Sequence, residues 1–99
     1  MHVISRKALR EFCEIHADAE VSLNAWFKAA SKGNFDHLAE LKQTFNSVDY
    51  VKLGKTGFYV FDIGGNKYRL MAAVHFDKQR LFVRHVLTHA EYDKGDWKK

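Results

Sequence analysis

The chain has 99 residues, of which 46% are hydrophobic and 14% aromatic, and it contains no proline. This composition excludes a disordered tail, and the length allows one folded domain, which we expect to span residues 1–99. No apolar run approaches the roughly 20 residues of a membrane span, and the first residues lack the apolar stretch of a signal peptide. We therefore expect a cytoplasmic protein without a membrane partner, which the single cysteine, Cys13, also fits.

The net charge of +4 is unevenly distributed along the chain. Residues 1–49 carry six Lys and Arg against seven Asp and Glu, a balance of −1, whereas residues 50–99 carry ten against five, a balance of +5. A basic surface of this kind attracts polyanions, of which nucleic acid is the commonest. A generic solubilising charge is the alternative explanation.

Apolar residues in the first half recur at helical spacing. The stretch SRKALREFCEIH predicts a first helix with Ser5 as its N-cap, and VSLNAWFKAASKG predicts a second that ends at Gly33. A shorter third helix is predicted from Asp36 to Phe45.

From Val48 onward β-branched and aromatic residues alternate, which predicts strands. The expected strands are Tyr50–Leu53, Phe58–Ile63, Lys67–Phe76 and Leu81–Leu87, and HVIS before the first helix is a candidate for a further one. The predicted class is α+β, with N-terminal helices packed on one face of a C-terminal antiparallel sheet of about four strands. A short C-terminal turn or helix follows the last strand.

Two hairpin turns predict which strand residues share a face. Gly64-Gly65 suits a two-residue turn with positive φ that pairs Ile63 with Asn66, and DKQR suits a hairpin that pairs Phe76 with Leu81. The resulting apolar face receives the helices. The expected core contains Trp26, Phe27, Phe12, Tyr59 and Leu70.

The opposite, open face of this predicted sheet collects cations: Lys67, Arg69, His75 and Arg84. His85 falls on the apolar side in this register, and we interpret it as a structural histidine. The segment THAEYD then follows the last strand and brings His89, Tyr92 and Asp93 beside Arg69.

These side chains are suited to cleaving a phosphodiester. His89 and Tyr92 are three residues apart, so they share a face of a helical turn. An arginine stabilises the charge of the phosphorane, while His or Tyr moves protons at the attacking 2′-oxygen and the leaving 5′-oxygen. The alternative interpretation is that His89 caps the strand end and Tyr92 is a boundary aromatic.

Three motifs in order, LKQTFNSVDYV, FDIGGNKYRL and VRHVLTHAEYD, resemble the HigB toxins of type II toxin–antitoxin systems, within the RelE-like superfamily of mRNA interferases. The resemblance implies a small toxin that cleaves mRNA, typically in the ribosomal A site, with no metal or other cofactor. It also implies neutralisation by a HigA-like helix-turn-helix antitoxin, in a heterotetramer with an antitoxin dimer.

The resemblance also suggests roles for single residues. It implies that Arg69 contacts the phosphate, that His89 is the acid or base, and that Tyr92 and Asp93 lie where related toxins keep catalytic groups. We expect RNA to be bound by the basic side chains Lys67, Arg84, Lys52, Lys55 and His75.

Three rival functions remain open. A non-catalytic RNA- or ribosome-binding module would use exposed aromatics such as Phe58 and Phe82 as stacking platforms. The helices could instead form a partner-binding surface without chemistry. A metal site from His75, His85 and His89 lacks a carboxylate pattern, and alternation puts His75 and His85 on opposite faces, so we assign no metal ligand.

Overall fold

The structure, a computed structural model, describes residues 1–4 and 6–98, in which three N-terminal helices cover one face of a five-stranded sheet and a short C-terminal helix packs on the other. The helices are α1 (Arg6–Ile15), α2 (Glu20–Lys32), α3 (Leu38–Thr44) and α4 (His89–Lys94), with 3₁₀ turns at Ala17–Ala19 and Asp96–Lys98. The strands are β1 (His2–Ile4), β2 (Asp49–Leu53), β3 (Thr56–Ile63), β4 (Tyr68–His75) and β5 (Arg80–Thr88). The predicted α+β class is confirmed, and Ser5, the predicted N-cap, lies outside the described residues.

The sheet has the strand order β1-β5-β4-β3-β2. All neighbours are antiparallel except β1, which lies parallel to β5. The candidate strand in HVIS therefore forms, and it makes the sheet mixed instead of purely antiparallel. No helix in residues 1–4 and 6–98 is long and apolar enough to cross a membrane.

Gly33 ends α2 as predicted, but for a packing reason. Its φ of −77° is accessible to any residue. A Cβ at this position would instead lie 2.1 Å from the ring of Phe35, which is buried in the core. The chain thus needs glycine here to let Phe35 turn back under the helices.

The core lies between the helices and the sheet. Of its predicted members, Trp26 and Leu70 are buried, and Phe12, Phe27 and Tyr59 are half-buried against them. The alternation in β4 is also as predicted, because Leu70 is fully buried on the helix side while Arg69 points to the other face. We call this second face, which carries Arg69, Met71, Ala73 and His75, the outer face.

The hairpin between β3 and β4 has a longer turn than predicted. Ile63 pairs with Tyr68 instead of Asn66, so Gly64, Gly65, Asn66 and Lys67 all lie in the turn, with both glycines at positive φ. A shift of two residues leaves each strand residue on its predicted face but changes its partner. Asp62 consequently lies opposite Arg69.

A β-bulge in β5 reverses the predicted faces of its second half. Ala72 pairs with Val83, whereas Met71 pairs with His85, so Arg84 is an additional residue in β5. His85 therefore points to the outer face, and Val86, not Leu87, lies opposite Leu70. The predictions that His85 lies on the apolar side and that His75 and His85 lie on opposite faces are wrong for this reason.

Candidate active site

The outer face is not open along its whole length, because the C-terminal segment packs on it. Helix α4 lies against β4 and β5, and the ring of Trp97 meets Phe58 edge-on, with 6.3 Å between ring centroids. Val60 and Met71, which point to this face, are buried as well. The candidate catalytic residues lie at the border of this small second core.

The start of α4 is defined by a capping box. The Glu91 N–H donates to Thr88 Oγ1 over 3.1 Å, and the Thr88 N–H donates to Glu91 Oε1 over 2.8 Å. The His89 N–H donates to the Lys67 carbonyl over 2.9 Å, which brings the helix to the start of β4. Gly95, in the left-handed conformation, ends the helix.

Arg69 is held by the β3–β4 hairpin, and its side chain is only 11% exposed. Its Nε lies 3.2 Å from Asp62 Oδ1, Nη2 donates to Asn66 Oδ1 over 3.0 Å, and Nη1 donates to the Tyr68 carbonyl over 3.2 Å. Nη1 also donates to the Asn66 carbonyl, over 3.5 Å. A guanidinium has five N–H groups, so these four bonds fix its plane and leave one donor, on Nη2, for a substrate.

Tyr92 lies against this guanidinium, which is 5.9 Å from the centre of its ring. Its ring stacks on Trp97 at 5.3 Å, and Trp97 Nε1 donates to the Tyr92 carbonyl over 3.0 Å. Burial raises the pKa of Tyr92; Arg69 lowers this pKa, and the carboxylates of Asp49, Asp62 and Asp93 raise it. The phenol is therefore protonated at neutral pH.

His89 and Asp93 lie within hydrogen-bonding distance of each other across one turn of α4. The distance from His89 Nδ1 to Asp93 Oδ2 is 2.9 Å, and the side chains are 44% and 60% exposed. The carboxylate thus fixes one ring nitrogen, which leaves Nε2 for contact with a ligand. The four candidate catalytic residues consist of two contacting pairs, one of which, Arg69 and Tyr92, joins β4 to the helix.

The residues expected to bind RNA do not share one surface. Lys67 lies in the β3–β4 turn, and its Nζ is 3.5 Å from Asp18 Oδ2 on the helix side of the sheet. The same Asp18 accepts a 2.5 Å hydrogen bond from the Tyr68 hydroxyl. The prediction that Lys67 lies on the face of Arg69 is therefore wrong, because the longer turn removes it from β4.

His75 and Arg84 lie around a second aromatic ring, that of Phe82. The His75 ring meets it edge-on at 5.3 Å, and the Arg84 guanidinium lies 5.4 Å above it. His75 is six residues from Arg69 along β4, or ~20 Å at about 3.4 Å per residue. These side chains form a separate basic and aromatic cluster at the far end of the outer face.

Lys52 and Lys55 are exposed at the β2 edge of the sheet. Lys52 pairs with Gly57 and points to the same side as Tyr50, which is the helix side. Lys55 lies in the turn that follows β2. Strand β3 separates β2 from β4, so neither lysine is a strand neighbour of Arg69.

The predictions from sequence missed three residues that shape the site: Asp62, Asn66 and Trp97. The contacts of Asp62 and Asn66 with Arg69 depend on the register of the β3–β4 hairpin. The two-residue turn predicted at Gly64-Gly65 paired both residues with other partners. Trp97 follows α4 and carries no pattern of its own. The spacing of Thr88 and Glu91 in THAE is typical of a capping box and could have predicted the start of α4.

Across residues 1–4 and 6–98, no three His, Cys, Asp or Glu side chains come together in an arrangement that could hold a metal ion. The two proposed stacking aromatics differ in their surroundings. Phe58 is packed against Trp97, whereas Phe82 lies between the His75 ring and the Arg84 guanidinium.

The sequence also matches a known protein family over most of its length. A profile for HigB toxins, described as the RelE-like toxic component of a toxin–antitoxin system, matches residues 19–95. The chain belongs to this family. The matched region contains all four candidate catalytic residues, and the resemblance found in the three motifs is confirmed.

Characterised members of the HigB family are similar along nearly the whole chain. The mRNA interferase toxin HigB of Escherichia coli strain K12 is 40% identical over 94 residues, covering 94% of this chain and 88% of the relative. The mRNA interferase HigB of Shigella flexneri has the same identity and coverage. The mRNA interferase HigB of E. coli O6:H1 is 32% identical over 94 residues, covering 95% of this chain and 90% of the relative.

Proposed function

We propose that this chain is the toxin of a toxin–antitoxin system and acts as an mRNA endoribonuclease. The carrying observation is the contact between Arg69 and Tyr92, which joins a fixed guanidinium to a helix that also bears the His89–Asp93 pair. The family of mRNA interferases to which the chain belongs supports the same activity. The whole chain, residues 1–99, forms the toxin domain.

The proposed reaction uses the RNA's own 2′-hydroxyl as the nucleophile. The 2′-oxygen bonds to phosphorus as the bond to the 5′-oxygen breaks, which yields a 2′,3′-cyclic phosphate and a free 5′-hydroxyl. Arg69 donates its remaining Nη2 N–H to a phosphate oxygen, whose negative charge grows in the transition state. The protein therefore supplies no nucleophile, and we propose that it needs no metal.

Two protons must move in this reaction, one from the 2′-hydroxyl and one to the 5′-oxygen. His89 exchanges a proton through Nε2, with Nδ1 oriented by Asp93. Tyr92, whose pKa is raised by burial, is a neutral donor beside the phosphate held by Arg69. We propose that His89 and Tyr92 share the two transfers, and that Asp93 orients His89.

We propose further that the substrate is translated mRNA on the ribosome, and that a HigA-like helix-turn-helix antitoxin neutralises the toxin in the cytoplasm, in a heterotetramer. The basic cluster of His75, Phe82 and Arg84 is the proposed contact for RNA outside the scissile phosphate. Lys52, Lys55 and Lys67 are proposed as outer contacts with the phosphate backbone.

The same cluster supports a second candidate function, a non-catalytic RNA-binding module. An aromatic ring flanked by an imidazole and a guanidinium is a suitable platform for a stacked base. Such a module would bind RNA and leave it uncut.

The test of the proposed function is to express the chain and three variants, His89→Ala, Tyr92→Phe and Arg69→Ala, from a tight promoter. Each loss should reduce cleavage by about 10² to 10⁴ and relieve growth arrest, because each group acts in the transition state. The wild-type products should end in a 2′,3′-cyclic phosphate and form with chelator present.

Matched controls exist within the chain. His37→Ala removes another histidine paired with a helix carboxylate, that of Glu40, and Arg6→Ala removes another arginine stacked on an aromatic ring, that of Phe27. Both should cleave like the wild type. Wild-type toxicity in all three site variants would refute the site, and intact RNA bound by a non-toxic wild type would favour the binding module.

A further inference from the structure

The orientation of Arg69 depends on a carboxylate directly across the sheet. Asp62 and Arg69 are register partners in β3 and β4, and Nε lies 3.2 Å from Oδ1. Their side chains are 29% and 11% exposed, in contrast to the Lys7–Glu11 pair on α1, at 77% and 60%. The Asp62–Arg69 pair is thus shielded on both sides from the solvent that weakens surface pairs.

Asn66 fixes a second nitrogen of the same guanidinium. Its Oδ1 accepts from Nη2 over 3.0 Å, and its own place in the turn follows from the positive φ of Gly64 and Gly65. The Tyr68 carbonyl accepts from Nη1 over 3.2 Å, and the Asn66 carbonyl accepts from it over 3.5 Å. One hairpin therefore binds all three nitrogens, and because a guanidinium is planar, its plane and the direction of its free Nη2 donor are set.

A fixed plane matters because a phosphate in transition-state geometry is recognised by aligned donors. An arginine free to rotate would bind the phosphate in several orientations, and most of them would not match the trigonal-bipyramidal phosphorus. A carboxylate beside it has an opposing effect, since its charge repels the phosphate. Its presence at 3.2 Å is better explained by orientation than by attraction of RNA.

We propose that Asp62 is a positioning residue for RNA cleavage, holding Nε of Arg69 so that the remaining Nη2 donor faces the scissile phosphate, with Asn66 fixing the second nitrogen. This inference rests on the proposed function. It assigns Asp62 no contact with RNA and no proton transfer.

The test separates geometry from charge with two substitutions. Asp62→Asn keeps an acceptor for Nε but removes the charge, whereas Asp62→Ala removes both. In steady-state cleavage of a short RNA, Asp62→Ala should lower kcat by about 10², as expected for a misplaced catalytic group. Asp62→Asn should recover most of that loss, and KM should not rise in either variant, because a negative charge near the phosphate is gone.

A double-variant cycle tests whether Asp62 acts through Arg69. In an Arg69→Ala background, Asp62→Ala should cause no further loss, because the group that it positions is absent. Asp77→Ala, in the turn between β4 and β5, is the matched acidic control and should cleave like the wild type. Thermal unfolding of each variant checks the fold, and if Asp62→Ala unfolds, Asn66→Ala in the exposed turn should show the same coupling to Arg69.

The outcomes are distinct. If the wild type cleaves and Arg69→Ala does not, but Asp62→Ala keeps the wild-type kcat or adds its loss to that of Arg69→Ala, this inference is overturned and the proposed function stands. If the wild type leaves RNA intact, or Arg69→Ala cleaves normally, the proposed role of Arg69 falls and the inference falls with it.

Discussion

The side chains of the candidate site differ in how firmly the protein holds them. Arg69 is nearly buried and bound at three nitrogens, whereas His89 and Asp93 are largely exposed at the surface of α4. The difference matches their proposed tasks, since a group that stabilises charge needs only a fixed direction. Groups that transfer protons must reach the oxygens of the substrate.

The ionisation of Tyr92 leads to a prediction about pH. Burial raises its pKa above the ordinary value of 10.0, so the protonated phenol predominates up to that pH. The shape of the kcat profile up to about pH 10 should therefore be the same in the wild type and in Tyr92→Phe, although the rates differ. An alkaline limb in that range that disappears in Tyr92→Phe would contradict it, and Tyr50→Phe is the exposed control.

At the scale of elements, α4 is the short helix on which the candidate chemistry depends. It has six residues, too few for stability on its own, so its capping box and its packing on β4 and β5 must hold it in place. Three of the four candidate catalytic residues lie on it. Its ends therefore matter for activity as well as for stability.

Removing the N-cap of α4 should reveal this dependence. Thr88→Ala should lower the free energy of unfolding by about 1 kcal/mol, the usual effect of losing such a cap. Cleavage should fall as well, because His89 is the first residue of the helix. Chemical denaturation and single-turnover cleavage measure the two effects, with Thr44→Ala at the end of α3 as control; unchanged cleavage at reduced stability would show that the site tolerates a frayed helix.

For the whole molecule, the basic excess of the second half does not gather in one patch. Arg69 lies in the candidate site, Arg84 lies beside Phe82, and Lys52 and Lys55 lie at the β2 edge, whereas Lys67 is paired with Asp18. The remaining described cations of this half, Lys78, Arg80, Lys94 and Lys98, are exposed at other points of the surface. We therefore expect the long-range attraction of RNA to be a property of the whole surface, whereas the proposed catalytic site lies at one end of it.

The cluster of His75, Phe82 and Arg84 allows a test of whether RNA binding and cleavage depend on different parts of the surface. Arg84→Ala should weaken binding of a non-cleavable RNA and reduce the slope of log affinity against log salt by about 0.7, the value for one contact with a single strand. Cleavage of bound RNA should be unaffected. Lys28→Ala on α2 is the control, and an unchanged slope in Arg84→Ala would place the RNA on another surface.

The fold was predictable from the sequence where hydrophobic alternation determines it, and the site was predictable only in part. Alternation has a period of two, so it placed Arg69 and Leu70 on their correct faces but could not tell Asn66 from Tyr68 as the partner of Ile63. Asp62 was missed as a partner of Arg69 for this reason. The bulge at Arg84 could have been predicted, because two polar residues, Arg84-His85, and then two apolar residues, Val86-Leu87, interrupt the polar–apolar alternation of β5.

That bulge also bears on how the chain can change in evolution. Most surface turns accept a gained or lost residue, and β5 already contains one residue more than its partner strand. Deleting the additional residue would leave a regular ladder in which Val83 still pairs with Ala72 and Val86 with Leu70, so Val86 would stay in the core. Relatives without the bulge should therefore show a one-residue gap at Arg84 or His85 and no gap from Val86 to Thr88.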